Sequence, residues 1–301
     1  MKSLHRTTLV SALAVLVPGL ALSLPDIAQA STDINESRQV SPDGRIQVDN
    51  MAGSIKISSW DRPEVEIRGE LGDRVDELEI SETSGGLRIR VHNQDNQRRV
   101  DESHLRLQVP SGVSVELESI SADMLVQGLD NSSIVASSVS GDIDITANTS
   151  HLEAESVSGD VTFSGQAPRV TVETVSGEID VRGVSGELRV TTVSGDLLLQ
   201  GGEISLGRFE TVSGDLEVNL QVSDGGRLSA DSMSGDVTIL LPASQQAEFS
   251  AQSYSGEIRT DFGTVDSESG MPGRSLNHSV GNNGSMIRIE SFSGDARLKK
   301  Q

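Results

Sequence analysis

The sequence contains no cysteine, which excludes a disulfide framework and any thiolate metal site. Aromatic residues are nearly as scarce, with one Trp, one Tyr and five Phe in 301 residues. Carbohydrate recognition by rows of exposed rings is therefore poorly supported. Basic residues are also few: 24 Lys and Arg stand against 45 Asp and Glu, for a net charge of −21. A surface this acidic repels nucleic acid and anionic headgroups and attracts cationic partners, so nucleic-acid binding is excluded as a main role. No Gly-x-Ser-x-Gly elbow and no phosphate-binding loop occurs. His92, His104, His151 and His278 are scattered at no metal-ligand spacing and read as solvated surface residues. No cofactor is expected.

Long hydrophobic runs are confined to the first thirty residues. Lys2, His5 and Arg6 precede an apolar run from Leu9 to Leu24, broken by Pro18 and Gly19, and Ala28-Gln29-Ala30 follows. This is the order of a secretory signal peptide cleaved after Ala30. The run is short for a bilayer, which needs about 20 apolar residues, so the chain is not expected to span a membrane after cleavage. The expected location is the periplasm, the cell surface or the extracellular space.

Beyond the leader the tripeptide Ser-Gly-Asp/Glu recurs, with glycines at Gly141, Gly159, Gly177, Gly195, Gly214, Gly235, Gly256 and Gly294. The intervals are 18, 18, 18, 19, 21, 21 and 38 residues, and a copy at Gly186 halves one of them. Aligned on this tripeptide, the units fall into columns. Five and three residues before the apolar position that precedes each serine stand pairs such as Val170 and Val172. Two and four residues after each glycine stand pairs such as Ile179 and Val181. A period of two marks strands with one buried face. Identical columns at a fixed interval imply coils stacked one on the next, about 4.8 Å apart.

The predicted fold is all-β: a single-stack parallel β-solenoid, β-helix or β-roll in type, with 18–21 residues per coil. Residues 31–130 form an irregular N-terminal β cap. Residues 131–301 form the regular solenoid, with a polar excursion at 261–285. Three degenerate coils are expected in the cap, one around Ala122, one from Leu78 through Gly85 to Ile89, and one around Gly53. The turn glycines are expected to supply positive φ. Phe163, Phe209, Phe249 and Phe292 fall in core columns, while Trp60, beside Asp61 and Pro63, packs under the cap. Arg297, Lys299 and Lys300 are expected to protect an exposed sheet edge.

Two polar columns flank the corner. Ser138, Ser156, Thr174, Thr192, Thr211, Ser232, Ser253 and Ser291 share the inward parity and suit a buried hydroxyl ladder. Asp142, Asp160, Glu178, Asp196, Asp215, Asp236, Glu257 and Asp295 form a carboxylate row that could be read as a calcium ladder. One glycine per turn, where calcium β-rolls use three, favours solvated acids that accept turn N–H bonds. No metal is expected. A uniform row also singles out no catalytic pair, which argues against an enzyme.

Tandem Val-Ser-Gly-Asp/Glu units behind a leader, opened by Gly53-Ser-Ile-Lys-Ile and by Leu105-x-Leu-x-Val109-Pro110, resemble the bacterial putative-adhesin β-strand-repeat family over roughly residues 40–300. The resemblance implies a domain of undefined biochemical role with no catalytic residues to carry across, and some relatives are tied to envelope stress. Ala122 departs from the glycine of the pattern. Two functions follow as expectations. One is an exported, adhesin-like envelope interaction or structural protein. The other is a periplasmic stress sensor or accessory protein that binds cationic peptides or a signalling partner.

Overall fold

The computed structural model describes residues 32–93, 100–265, 273–282 and 284–301. The expected leader lies outside them. The described residues form strands and no helix, so none offers a helix long and apolar enough to cross a membrane.

The N-terminal part contains β1 (Thr32–Gln39), β2 (Arg45–Trp60), β3 (Glu64–Leu71), β4 (Val75–Thr83), β5 (Gly86–Asn93) and β6 (Ser103–Pro110). The middle runs through β7 (Ser114–Ser138), β8 (Ile143–Ser156), β9 (Val161–Ser164), β10 (Arg169–Thr174), β11 (Ile179–Arg182), β12 (Gly186–Ser194), β13 (Leu197–Ser213) and β14 (Leu216–Ser234). The chain ends in β15 (Val237–Leu241), β16 (Ala247–Ser253), β17 (Ile258–Thr260), β18 (Arg274–Val280), β19 (Met286–Ser293) and β20 (Ala296–Lys300).

From β7 onward the pairing follows the repeat. Leu152 pairs with Val170 and Val170 with Leu188; Ala154 pairs with Val172 and Val172 with Val190, all in parallel register. After the corner, Val161 pairs with Ile179 and Ile179 with Leu197. These residues are buried and form one continuous apolar core. Burial alternates along each strand because successive side chains of an extended chain point to opposite faces.

At both ends spatial order departs from chain order. At the N-terminal end, β2 lies between β7 on one side and β5 with β6 on the other. The expected coil from Leu78 to Ile89 does not form. β4 and β5 make an antiparallel hairpin, and the outer coil is instead β5 continued by β6. The Ser84-Gly85 pair reverses the chain there, where in the regular units it only bends it. β3 adds antiparallel to β6, and β1 adds to β3.

At the other end β19 and β20 are inserted between earlier strands. β19 pairs with both β14 and β16, and β20 with both β15 and β17. Arg297 therefore lies between two strands and protects no edge, contrary to expectation, while Lys299 and Lys300 pair with β15 and run past the end of β17. The outer strands are β18, which covers β16 antiparallel, and the three-residue β17. An antiparallel cover and a very short strand are both means of blunting an edge. Part of the expected 261–285 excursion is thus a strand, while 266–272 and 283 lie outside the described residues.

Candidate binding surface

The repeated corner is built from its hydroxyl outward. Ser138, Ser156, Thr174, Thr192, Thr211, Ser232, Ser253 and Ser291 are buried as their parity requires. The Oγ of Ser138, Ser156 and Ser253 accepts the N–H of the glycine three residues on, at 2.8 Å each. Thr174 and Thr192 share a hydrogen bond of 2.9 Å between coils. These bonds satisfy polar groups that the corner would otherwise leave dry, although the buried hydroxyl of Thr211 has no partner among the described residues.

The glycines answer a different need from the one expected. Gly195, Gly214 and Gly235 have positive φ, but Gly141, Gly159, Gly177, Gly256 and Gly294 do not. What all share is close approach along the stack. A Cβ on Gly159 would lie 2.2 Å from the Gly141 carbonyl oxygen, and one on Gly177 would lie 2.2 Å from that of Gly159. Corner stacks on corner with no room for a side chain. Gly256 meets the Gly294 carbonyl and Gly294 that of Gly235, which repeats the inserted order of the last coils. Ala122 sits at the first such corner, in register with Gly53.

The acidic row is bonded along the stack and exposed, except that Asp236 and Asp295 are partly buried. Asp142 Oδ1 accepts the Asp160 N–H at 3.0 Å, and Asp160 Oδ1 the Glu178 N–H at 2.9 Å. Asp196 serves Asp215 and Asp215 serves Asp236, at 2.8 and 2.9 Å. Asp236 serves Asp295, and Asp295 serves Glu257, at 2.9 Å each. Neighbouring charges repel by about 0.9 kcal/mol in water at the 4.8 Å strand spacing. Arg297 relieves the end of the row by bridging Asp236 and Asp295, at 2.7 Å each. The carboxyl of Asp236 is held below its ordinary range by the Asp295 N–H and then by Arg297. Among the described residues no group of three or more His, Asp or Glu could hold a metal ion.

The largest difference from expectation is the apolar position at the corner. Met51, Ile120, Val139, Val157, Val175, Val193, Val212, Met233, Tyr254 and Phe292 are 38–59% exposed. Phe292 therefore does not belong to the core, and Tyr254 stacks on it in solvent at 5.0 Å between ring centroids. Parity is the cause. Positions five, three and one before the corner point inward, so the next side chain must point out. Ten side chains in nine strand steps make a ridge about 43 Å long.

Acids border the ridge on both sides. Three residues beyond the apolar positions lies the row described above; two residues before them stand Asp49, Glu118, Glu155, Glu173, Glu210, Asp231 and Glu290. Arg208 neutralises Glu210, and Arg288 neutralises Glu290. Asp231 lies in register between those two glutamates with serine, not arginine, two residues before it. Burial, then Glu290 and Glu210, push its carboxyl up. Beside this end of the ridge runs an open groove of about 920 Å³, lined by Val193, Val212, Met233, Phe292, Asp231 and Arg274. At the other end, Met51 and Ile120 border a smaller pocket of about 420 Å³ with Asp49, Arg90, His92 and Glu118. Arg90 is bound to Asp49 at 2.6 Å, and His92 to Glu79 at 2.7 Å.

The other candidate residues lie apart. Trp60 is half-buried, donates to the Glu64 carbonyl at 2.8 Å and is covered by Arg62 at 4.8 Å, so it is a fixed part of the N-terminal end. His104 lies near Ser54 and Glu102, and His151 near Glu153.

Comparison with known proteins agrees with this architecture. The sequence model of the Toastrack family, DUF4097, matches residues 44–299. No curated protein matches. Among solved structures, a putative adhesin from Parabacteroides merdae is 9% identical, with 88% of this chain and 95% of that chain covered and a TM-score of 0.52. A putative adhesin from Parabacteroides distasonis is 11% identical, with 89% and 98% covered and a TM-score of 0.51. At these identities the likeness is one of fold.

Proposed function

The chain belongs to the Toastrack family, a domain family of unknown function, and from that premise we propose that it is a non-catalytic, adhesin-like interaction protein of the cell envelope. The observation that carries this reading is the exposed apolar ridge. Soluble monomers seldom expose contiguous apolar patches beyond a few hundred Å², and a larger one marks an interaction surface. The description of fold neighbours as adhesins is consistent with it. In this reading the chain is a single-stack solenoid of 18–21 residues per coil, with a cap at 31–130 and regular coils at 131–301. The acidic row acts as a solvated border and not as a metal site.

The test is binding of purified, labelled protein to intact cells and to envelope fractions. A Val175→Ser, Val193→Ser, Val212→Ser variant should fold and lose at least tenfold in binding. Equal binding by the variant would overturn the reading. Export is part of the same proposal: protein recovered from cells should begin at Ser31, and an intact Met1 on the mature fraction would contradict it.

The acid borders favour a second reading, a periplasmic stress sensor or accessory protein that binds a cationic partner. Genomic neighbours separate the two, since secretion loci suit the first and sigma-factor or two-component loci the second.

A further inference from the structure

Resting on the reading of the ridge as an interaction surface, we propose that its occupant is a basic amphipathic α-helix presented by a partner protein, laid along the solenoid with its apolar stripe on the ridge and its Lys or Arg residues over the two acidic borders.

Three observations lead there. The first is charge. From Val139 to Val193 the ridge is bordered by Asp142, Asp160, Glu178 and Asp196 on one side and by Glu155 and Glu173 on the other. Among the described residues none of these six carboxylates is ion-paired, whereas Glu210, Glu290 and Asp236 further along are paired with Arg208, Arg288 and Arg297. Unpaired acids therefore flank this stretch of the ridge on both sides. A second copy of this chain would set acid on acid, and a bilayer surface carrying anionic lipid would be repelled as well.

The second is spacing. The ridge repeats every 4.8 Å or so. Successive turns of an α-helix present side chains every 5.4 Å, while alternate residues of an extended strand are about 6.7 Å apart. A helix stays in step with the ridge for several turns, and a strand falls out of step within two or three side chains. At about 1.5 Å per residue, the full ridge accommodates roughly 28 residues of helix.

The third is width. The ridge is a single file of side chains with acids on both flanks. That is complementary to a helix with a narrow apolar stripe and basic residues on either side of it, the arrangement in which helices dock into grooves. The ridge side chains are already stacked on one another, and the acids on the corner side are held by N–H bonds along the stack. Little ordering is needed on this side of the contact.

The experiment uses the purified chain from residue 31 and a labelled synthetic peptide of about 28 residues, with Leu on one helical stripe, Lys on both flanks and Gln elsewhere. Anisotropy reads binding and far-UV circular dichroism reads helix formation on the protein. A scrambled peptide of the same composition controls for charge alone. The ordered peptide should bind, gain helicity and weaken at least tenfold with Val175→Ser, Val193→Ser, Val212→Ser. It should weaken similarly with Asp160→Asn, Asp196→Asn, and the scrambled peptide should bind at least tenfold less tightly. Equal binding of ordered and scrambled peptides would overturn the proposal, as would binding without helix formation or failure of the ordered peptide to bind. If cell binding still depends on the ridge in that event, the interaction role stands and only the helix is lost. Retained melting temperatures of both variants ensure that lost binding reports on the surface.

Discussion

At the scale of single residues, two positions of the corner, two residues apart, carry opposite demands. Gly177 stands where a Cβ would lie 2.2 Å from the Gly159 carbonyl oxygen, a backbone atom with nowhere to go. Gly177→Ala should therefore cost about 1–3 kcal/mol, the usual penalty of forced overpacking, and lower the melting temperature. Val175, two residues earlier, is half-exposed, so Val175→Ser should stay within about 0.5 kcal/mol of the parent. A thermal melt of each variant checks the pair, and the reverse order would contradict the stacking. The glycine column was legible in the sequence, but its cause was not. A conserved spacing does not distinguish a turn that needs positive φ from a contact between corners that leaves no room. The outward valines were hidden by their type, because an apolar column suggests burial. The signal that would have placed them was the Ser/Thr column beside them, whose parity already claimed the inward position. Asp231 shows a different residue effect. Its carboxyl titrates above the ordinary range, chiefly through burial and then through Glu290 and Glu210. For an acid with a raised folded-state pKa, ionisation opposes folding, and the protein gains stability as pH falls from that pKa toward the ordinary carboxylate value. Asp231→Asn should raise the melting temperature at pH 7, and the gain should shrink as the parent is acidified through that window. A variant no more stable than the parent at pH 7 would contradict this.

At the scale of elements, most of the register was legible because the repeat states it. The pairings of β8, β10 and β12 and of β9, β11 and β13 are those of the aligned columns. The ends were not, because a repeat records which residues share a column and says nothing about the order in which coils lie in space. The interval of 38 residues before Gly294 was the trace of that departure. It allows the chain to skip one position in the stack, form β16, β17 and β18, and return to fill the gap with β19 and β20. Removing 286–301 should therefore not yield a protein merely one coil shorter. It would leave β14 and β16 about 9.6 Å apart, two strand spacings, each with an unpaired ladder. The expected result is loss of cooperative unfolding in the C-terminal half under denaturant. A synthetic peptide of residues 286–301 added in trans should restore it. A truncated protein with a single sharp transition near that of the parent would refute the inserted order.

At the scale of the whole molecule, the acids and the stack act against each other. Each strand step brings another carboxylate about 4.8 Å from the last, and most of the row has no basic partner, so added salt should stabilise the fold by screening. Calcium should do so no more than magnesium or sodium at equal ionic strength. A cation bound only to the folded state would add about 2.7 kcal/mol at a hundredfold excess over its dissociation constant, a shift of several degrees. Scanning calorimetry in matched salts reads the difference, and a calcium-specific rise removed by Asp196→Asn, Asp215→Asn would assign an ion to the row. The inserted coil carries a further consequence, one of timing. Coils laid down in chain order can close behind a chain as it emerges from a ribosome or a translocation channel, but here the piece between β14 and β16 arrives after both of them. Until residues 286–300 are out, β14 and β15 present an unpaired parallel edge with the apolar core open behind it. The stack is therefore sealed only once residues 286–300 have joined it. The interval between β15 and β20, residues 242–295, is when a newly made molecule is most exposed to pairing with a neighbour.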